Sequence, residues 1–131
     1  MENEKRAIDY APLSLAYIGD GVYELYVRSR IIKENPNLPA HKLHKEAIKY
    51  VKAEAQSRSI EAMLPYLTEA ETAQFKRGRN AKSPTSAKNA SIVDYRRATG
   101  FEALIGFLYI NKNGERLDEL MAIAFDNAKA E

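Results

Sequence analysis

Apolar residues recur at helical spacing along nearly the whole chain, and alternation with a period of two is not sustained anywhere. The pattern predicts a first helix from Pro12 to about Lys33, because proline suits the first turn of a helix. Further helices are predicted over 43–55 (continuing or bending into 57–64), 69–77, about 91–111, and the segment after Asn113-Gly114. We therefore expect an all-α fold, a helical bundle of about six to seven helices.

The first predicted helix contains an unusual acidic residue. Residues 13–26 read LSLAYIGDGVYELY, so that Asp20 lies between Gly19 and Gly21 in an otherwise apolar run. Each glycine inside a helix costs about 1 kcal/mol relative to alanine. Close helix packing, or access of a metal or phosphate to Asp20, would account for them.

Both sides of this helix carry apolar or small residues, so we expect it to be buried on both sides, with Asp20 partly desolvated. One predicted face carries Leu15, Ile18, Val22, Leu25 and Tyr26, and the other Leu13, Ala16, Tyr17, Gly21 and Glu24.

A second acid, Glu102, lies near Gly100 and Gly106 in the helix predicted over 91–111. If the two glycine-containing helices face each other, the carboxylates of Asp20 and Glu102 can converge. One or two carboxylates together with substrate phosphates are a typical setting for Mg²⁺, which activates water and stabilises charge on a phosphodiester. The alternative for either acid is a surface or capping role.

Other candidate groups are weaker. His41 and His44 are spaced i, i+3, but the chain has no cysteine to complete a zinc site, so an exposed helix face is favoured. Glu24 could support Asp20, although an ion pair with Arg28 one turn later is favoured. No phosphate-binding loop, dinucleotide fingerprint or Ser-His-Asp spacing is present.

Charge is distributed unevenly. Residues 76–97 contain seven lysines and arginines against one acid, a net charge of +6 in a chain whose overall charge is +2. Within this segment, glycine, proline, serine and asparagine predict a long basic loop over 78–91. Such a segment suggests an anionic partner, although a solvated basic loop is the alternative.

The 131 residues fit one domain, and the charged N-terminus lacks the apolar core of a signal peptide. The longest apolar run, residues 103–110, is far shorter than the ~20 residues that span a bilayer. We expect a single domain over 1–131 with no membrane association and, from the absence of cysteine, a cytoplasmic location.

Two segments resemble the signatures of a known family. Residues 16–22, AYIGDGV, resemble the signature helix of the ribonuclease III catalytic domain, which reads EFLGDAV. Residues 101–109, FEALIGFLY, resemble its second signature, FEALIGAxY. The resemblance spans about residues 8–126, and the size is most similar to the Mini-ribonuclease III branch, which lacks the C-terminal double-stranded-RNA-binding domain.

The resemblance implies a homodimeric, Mg²⁺-dependent endoribonuclease, with Mn²⁺ as a substitute, that cleaves double-stranded RNA and leaves 5′-phosphate ends. It further implies a role in maturing the ends of precursor 23S ribosomal RNA, with a ribosomal protein as a possible partner that presents the substrate. Only Asp20 and Glu102 carry over as catalytic and metal-binding residues. Two positions where the larger family has additional acids are Ala16 and Thr99.

The missing RNA-binding domain implies that another surface holds the duplex. The residues expected to contact its phosphates and 2′-hydroxyls are Lys76, Arg77, Arg79, Lys82 and Lys88. Two other readings stay open: a non-catalytic ribonuclease III-like protein that binds double-stranded RNA, and a helical module that binds other proteins.

Overall fold

The computed structural model describes residues 6–82 and 91–130, and in these residues every regular element is helical. Six α-helices follow one another: α1 (Pro12–Glu34), α2 (Ala40–Val51), α3 (Ala53–Met63), α4 (Glu69–Asn80), α5 (Ile92–Ile110) and α6 (Gly114–Asp126). Short 3₁₀ turns at Ala7–Asp9 and Leu64–Tyr66 complete the fold. The predicted all-α architecture is confirmed.

Helix α5 lies at the centre of the bundle and packs against α1, α3, α4 and α6. Its predicted apolar stripe is buried at Phe101, Leu104, Ile105 and Leu108, whereas Tyr95 is only partly buried. The core around α5 also contains Tyr23, which meets Phe101 edge to face with ring centroids 4.8 Å apart. The signature that carries Glu102 therefore lies in the most enclosed helix of the described fold.

Helices α1 and α5 cross in direct backbone contact. A Cβ added at Gly19 would overlap the carbonyl oxygen of Glu102 and lie 2.8 Å from the Gly106 nitrogen. A Cβ added at Gly106 would overlap the carbonyl oxygen of Leu15. Gly19 and Gly106 are therefore required for close packing, as the sequence predicted. Gly21 is different, because an added Cβ there meets nothing within 4 Å.

A second close crossing corrects the predicted loop boundary. Helix α4 continues to Asn80, and Gly78, expected to begin a long loop, lies inside it. A Cβ at Gly78 would come within 2.9 Å of the Gly100 Cα, and one at Gly100 within 2.6 Å of the Phe75 carbonyl oxygen. The glycine thus permits helix packing and does not break the helix. The part of the predicted loop at 83–90 lies outside the described residues.

Three local predictions, at the start of α4, along α6 and between α2 and α3, are confirmed. Thr68 and Glu71 form the capping box at the start of α4, with each side chain bonding the other residue's backbone N–H. The predicted apolar face of α6 is fully buried: Leu117, Leu120, Met121, Ala124 and Phe125. Between α2 and α3 the chain bends at Lys52, whose extended backbone (ψ 156°) separates the two helices.

The expectation that α1 is buried on both sides was wrong. Its core-facing side chains include Tyr23, Val27 and Ile31, whereas Tyr17 is 83% exposed and Leu25 is 68% exposed. Apolar residues surround much of this helix, so periodicity alone did not identify the side that packs. The side that carries Gly19 meets α5, because only there can the two backbones approach.

The α1–α5 crossing predicts that adding one methyl group destabilises the protein at a glycine in the crossing and not at a glycine outside it. Gly106→Ala should lower the free energy of unfolding by about 1–3 kcal/mol or more, because overpacking a close backbone contact forces the helices apart. Gly114→Ala is the matched control, since an added Cβ there meets nothing within 4 Å. Urea denaturation measures both, and equal stability of the two variants would contradict the crossing.

Candidate active site

The crossing of α1 and α5 brings the two predicted acids together. The side chains of Asp20, on α1, and Glu102, on α5, are hydrogen bonded to each other. Asp20 is exposed, whereas Glu102 is partly buried behind it. The expectation that Asp20 is partly desolvated was therefore wrong, because Asp20 is open to solvent and Glu102 is the more buried of the two acids.

The environment favours the protonated form of Glu102. Burial raises the pKa of Glu102 to about 8, and the neighbouring Asp20 carboxylate adds to this rise by charge repulsion and by its hydrogen bond. At neutral pH this environment favours the protonated Glu102 carboxyl. A divalent cation held by Asp20 and Glu102 would replace a proton and neutralise the repulsion between the carboxylates.

A third side chain contacts this pair, and sequence reasoning missed it. Gln56, on α3, is 2% exposed and hydrogen bonds to Glu102, which partly offsets the rise in the pKa of that carboxyl. Its own oxygen, Oε1, is buried without a hydrogen-bond partner. The spacing of α3 gave no signal for this residue, because glutamine in a helix is ordinary.

The acids nearest to the pair along the chain do not extend it. Glu24 forms an ion pair with Arg28 at 2.7 Å, the arrangement favoured from its spacing. The Thr99 hydroxyl donates to the Tyr95 carbonyl oxygen at 3.0 Å and is thus used within its own helix. Within residues 6–82 and 91–130, no group of three or more His, Cys, Asp or Glu side chains could hold a metal ion.

The predicted RNA-contacting residues separate into two groups. Lys76 and Lys82 are exposed, and Arg79 lies partly buried over the Phe75 ring, 5.5 Å from its centroid. Arg77 is held by protein atoms, since its guanidinium donates to Gln74 Oε1 at 2.7 Å and to the Tyr10 carbonyl oxygen at 2.9 Å. Lys88 lies outside the described residues.

Arg77 therefore connects α4 to the N-terminal segment, and its predicted contact with RNA stays a prediction. A long-range contact with a backbone carbonyl leaves no signal in the sequence. The sequence therefore could not distinguish an arginine bonded within the protein from a lysine or arginine free to bind RNA.

Helix α2 carries a cationic surface that the sequence analysis did not single out. His41 and His44 are exposed, as expected, and Lys42 and Lys45 are exposed beside them. Lys49 is paired with Glu46 at 2.6 Å. The alternation of lysine with apolar residues along α2 was the available signal.

Part of the exposed surface of α1 is apolar. A stripe of neighbouring positions, which we call the α1 stripe, consists of Tyr17, Gly21, Leu25 and Ile32. Next to it, α1 and α2 enclose a groove of about 240 Å³. The groove is lined by Arg28, Ile31, Ile32, Ala40, Leu43, His44 and Ala47. Contiguous exposed apolar surface of this kind is typical of an interaction site.

Comparison with protein families agrees with the fold. The model of the ribonuclease III domain matches residues 13–113, a range that includes both Asp20 and Glu102. The chain therefore belongs to the ribonuclease III family and is an endoribonuclease.

Its relatives specify the branch. The chain is 56% identical to the Mini-ribonuclease 3 of Clostridium tetani over 88% of this chain and 76% of that protein. It is 45% identical to the Mini-ribonuclease 3 of Thermoanaerobacter sp. over 89% of this chain and 82% of that protein. These matches confirm the resemblance to the Mini-ribonuclease III branch.

A solved structure shows the same fold. The crystal structure of protein FN1578 from Fusobacterium nucleatum matches 93% of this chain and 98% of that chain, with a TM-score of 0.84 and 28% identity.

Among the described helices of this chain, none combines the length and the apolar character needed to span a bilayer.

Proposed function

We propose that this endoribonuclease cleaves double-stranded RNA with Mg²⁺ held by Asp20 and Glu102, leaving 5′-phosphate ends. The observation that carries the proposal is the hydrogen-bonded contact between these two carboxyl groups at the α1–α5 crossing. Two acids brought together by glycine-mediated packing form an unfavourable pair until a cation or a proton neutralises them. Mn²⁺, which accepts the same oxygen ligands, is expected to substitute.

The residues present fit a hydrated divalent cation. Mg²⁺ keeps several waters and binds one or two carboxylates together with substrate phosphates, so two acids are sufficient. When bound, the ion supplies activated water and stabilises charge at the scissile phosphate. The protein itself holds Glu102 in place by burial and leaves Asp20 exposed towards the substrate side.

The duplex is proposed to contact the exposed Lys76 and Lys82 and the partly buried Arg79, at and just beyond the C-terminal end of α4. Lys88 is a further proposed contact outside the described residues. The exposed lysines of α2, Lys42 and Lys45, offer a second cationic surface. Lysine and arginine bind A-form RNA through phosphates and 2′-hydroxyls, which suits a protein that reads shape more than sequence.

A homodimer is proposed to form through the α1 stripe. A second copy would cover Tyr17 and Leu25, and one of its large apolar side chains would fit the neighbouring groove between α1 and α2. Because α1 also carries Asp20, a two-fold arrangement would provide two acid pairs, one for each strand of the duplex.

The substrate is proposed to be precursor 23S ribosomal RNA, whose end-forming stems are double-stranded, with a ribosomal protein as a possible partner in presenting it. This rests on the resemblance to the Mini-ribonuclease III branch. The non-catalytic alternative, an RNA-binding protein without nuclease activity, is disfavoured because both signature acids are present and in contact.

Replacing Asp20 tests the proposed chemistry. Asp20→Asn removes one charged ligand and should lower kcat on a duplex RNA in Mg²⁺ by about a thousandfold or more, because the loss of metal assistance raises the barrier by several kcal/mol. RNA binding and thermal stability should be retained. Asp118→Asn, an exposed acid on α6, is the matched control. Wild-type rates for Asp20→Asn would overturn the proposed site.

The basic end of α4 is tested by the salt dependence of binding. In an Asp20→Asn background, Lys76→Gln with Lys82→Gln should weaken duplex binding and reduce the slope of log K against log salt by about two units, roughly one for each lost phosphate contact. Fluorescence anisotropy at several salt concentrations measures this. Lys33→Gln with Lys112→Gln, two exposed lysines away from α4, provides the control. An unchanged slope in the α4 pair would exclude it from the interface.

The dimer is tested by placing a charge in the α1 stripe. Leu25→Glu should convert the protein to a monomer in light scattering, because a carboxylate buried in an apolar interface is costly. Ile92→Glu introduces the same charge at a similarly exposed position, 62% exposed on α5, and should leave the dimer intact. A monomeric wild-type protein would contradict the paired-site arrangement.

A further inference from the structure

Gln56 is a buried polar residue that the packing of the core does not explain. It is 2% exposed, and no described residue hydrogen bonds its Oε1. Some other buried polar side chains have clear partners: Ser59 donates to the Ala124 carbonyl oxygen at 2.7 Å, and Gln74 accepts from Arg77 at 2.7 Å. The Tyr23 hydroxyl is also buried without a partner among the described residues, but only Gln56 of these two groups reaches Glu102.

The contact that Gln56 does make is with the acid pair. Its side chain hydrogen bonds to the carboxyl group of Glu102. The contact lowers the pKa of Glu102, the direction expected when an amide N–H faces a carboxylate. An N–H donor favours the ionised carboxylate and sets the direction in which its oxygens point.

An apolar side chain of the same size would serve the core better. A buried oxygen without a hydrogen bond costs free energy, and methionine or leucine would fill the same volume without that cost. The neighbouring core-facing residues of α3, Ala55 and Ile60, are fully buried and apolar. The glutamine lies where its side chain reaches Glu102.

Few other side chains are available to orient Glu102. At the two positions where the larger family has additional acids, this chain has Ala16, which has no polar group, and Thr99, whose hydroxyl is bonded to Tyr95. Besides Asp20, Gln56 is the described side chain that hydrogen bonds the Glu102 carboxyl.

We propose that Gln56 is a positioning residue that orients the Glu102 carboxylate towards Asp20 for binding a divalent cation. Outer partners of this kind hold a ligand in its productive orientation, and their loss weakens metal binding or activity without removing a ligand. The inference rests on the proposed metal-dependent nuclease function. It assigns to the Gln56 amide a part in organising the metal site, for which the larger family has additional acids.

The test replaces the amide by an apolar side chain of similar length. Gln56→Met should fold with a melting temperature equal to or above that of the wild type. Its Mn²⁺ dissociation constant, measured by isothermal titration calorimetry without RNA, should rise about tenfold or more, and kcat should fall by a similar factor with KM for duplex RNA unchanged. Gln74→Met, at the buried glutamine bonded to Arg77, is the matched control and should leave both metal affinity and kcat within about twofold.

The outcomes separate this inference from the proposed function. If Asp20→Asn abolishes cleavage but Gln56→Met binds Mn²⁺ and cleaves as the wild type does, the nuclease assignment stands and the role of Gln56 is overturned. If Asp20→Asn cleaves normally, the proposed function itself fails. Gln56→Leu is a second apolar variant, and unfolding of both variants would assign Gln56 to core stability and overturn the proposal.

Discussion

The direct contact between the backbones of α1 and α5 is the constraint on which the rest of the molecule depends. Gly19 and Gly106 leave no room for a Cβ, so the two helices approach as closely as their main chains allow. That approach brings Asp20 and Glu102 into hydrogen-bonding contact and leaves Glu102 partly buried. The second glycine pair, Gly78 and Gly100, draws α4 onto the other side of α5 by the same means.

The fold holds two acids close together, which is electrostatically unfavourable. Burial raises the pKa of Glu102 to about 8, so two ionised carboxylates in contact are unfavourable in the metal-free protein. Gln56 adds a buried oxygen without a hydrogen bond at the same place. Costs of this kind concentrate at functional sites, because a cation or substrate compensates for them only when it binds. The rest of the described core contains few unfavourable buried polar groups, and its packing offsets the free-energy cost of those at the site.

The cations of this protein are used in two ways. Several arginines are held by protein partners: Arg77 binds carbonyl oxygens of the N-terminal segment, Arg97 pairs with Glu61, and Arg116 connects α6 to Glu71 at 2.8 Å. Lysines such as Lys76 and Lys82 remain exposed. This division follows from chemistry, since the planar guanidinium binds several acceptors at once, whereas the ammonium group stays hydrated and available to phosphates.

The sequence by itself determined the helical architecture, the capping box at Thr68, the buried face of α6 and, through the two signatures, the identity of the paired acids. These features are local, because each depends on spacing or on a contiguous motif. Only the tertiary structure decided which side of α1 packs, that Glu102 is partly buried while Asp20 is exposed, and that Gly78 continues a helix. It also revealed Gln56 beside Glu102 and the anchoring of Arg77. These features depend on contacts between helices distant in the chain, and helical periodicity carries no information about which neighbour a given face meets.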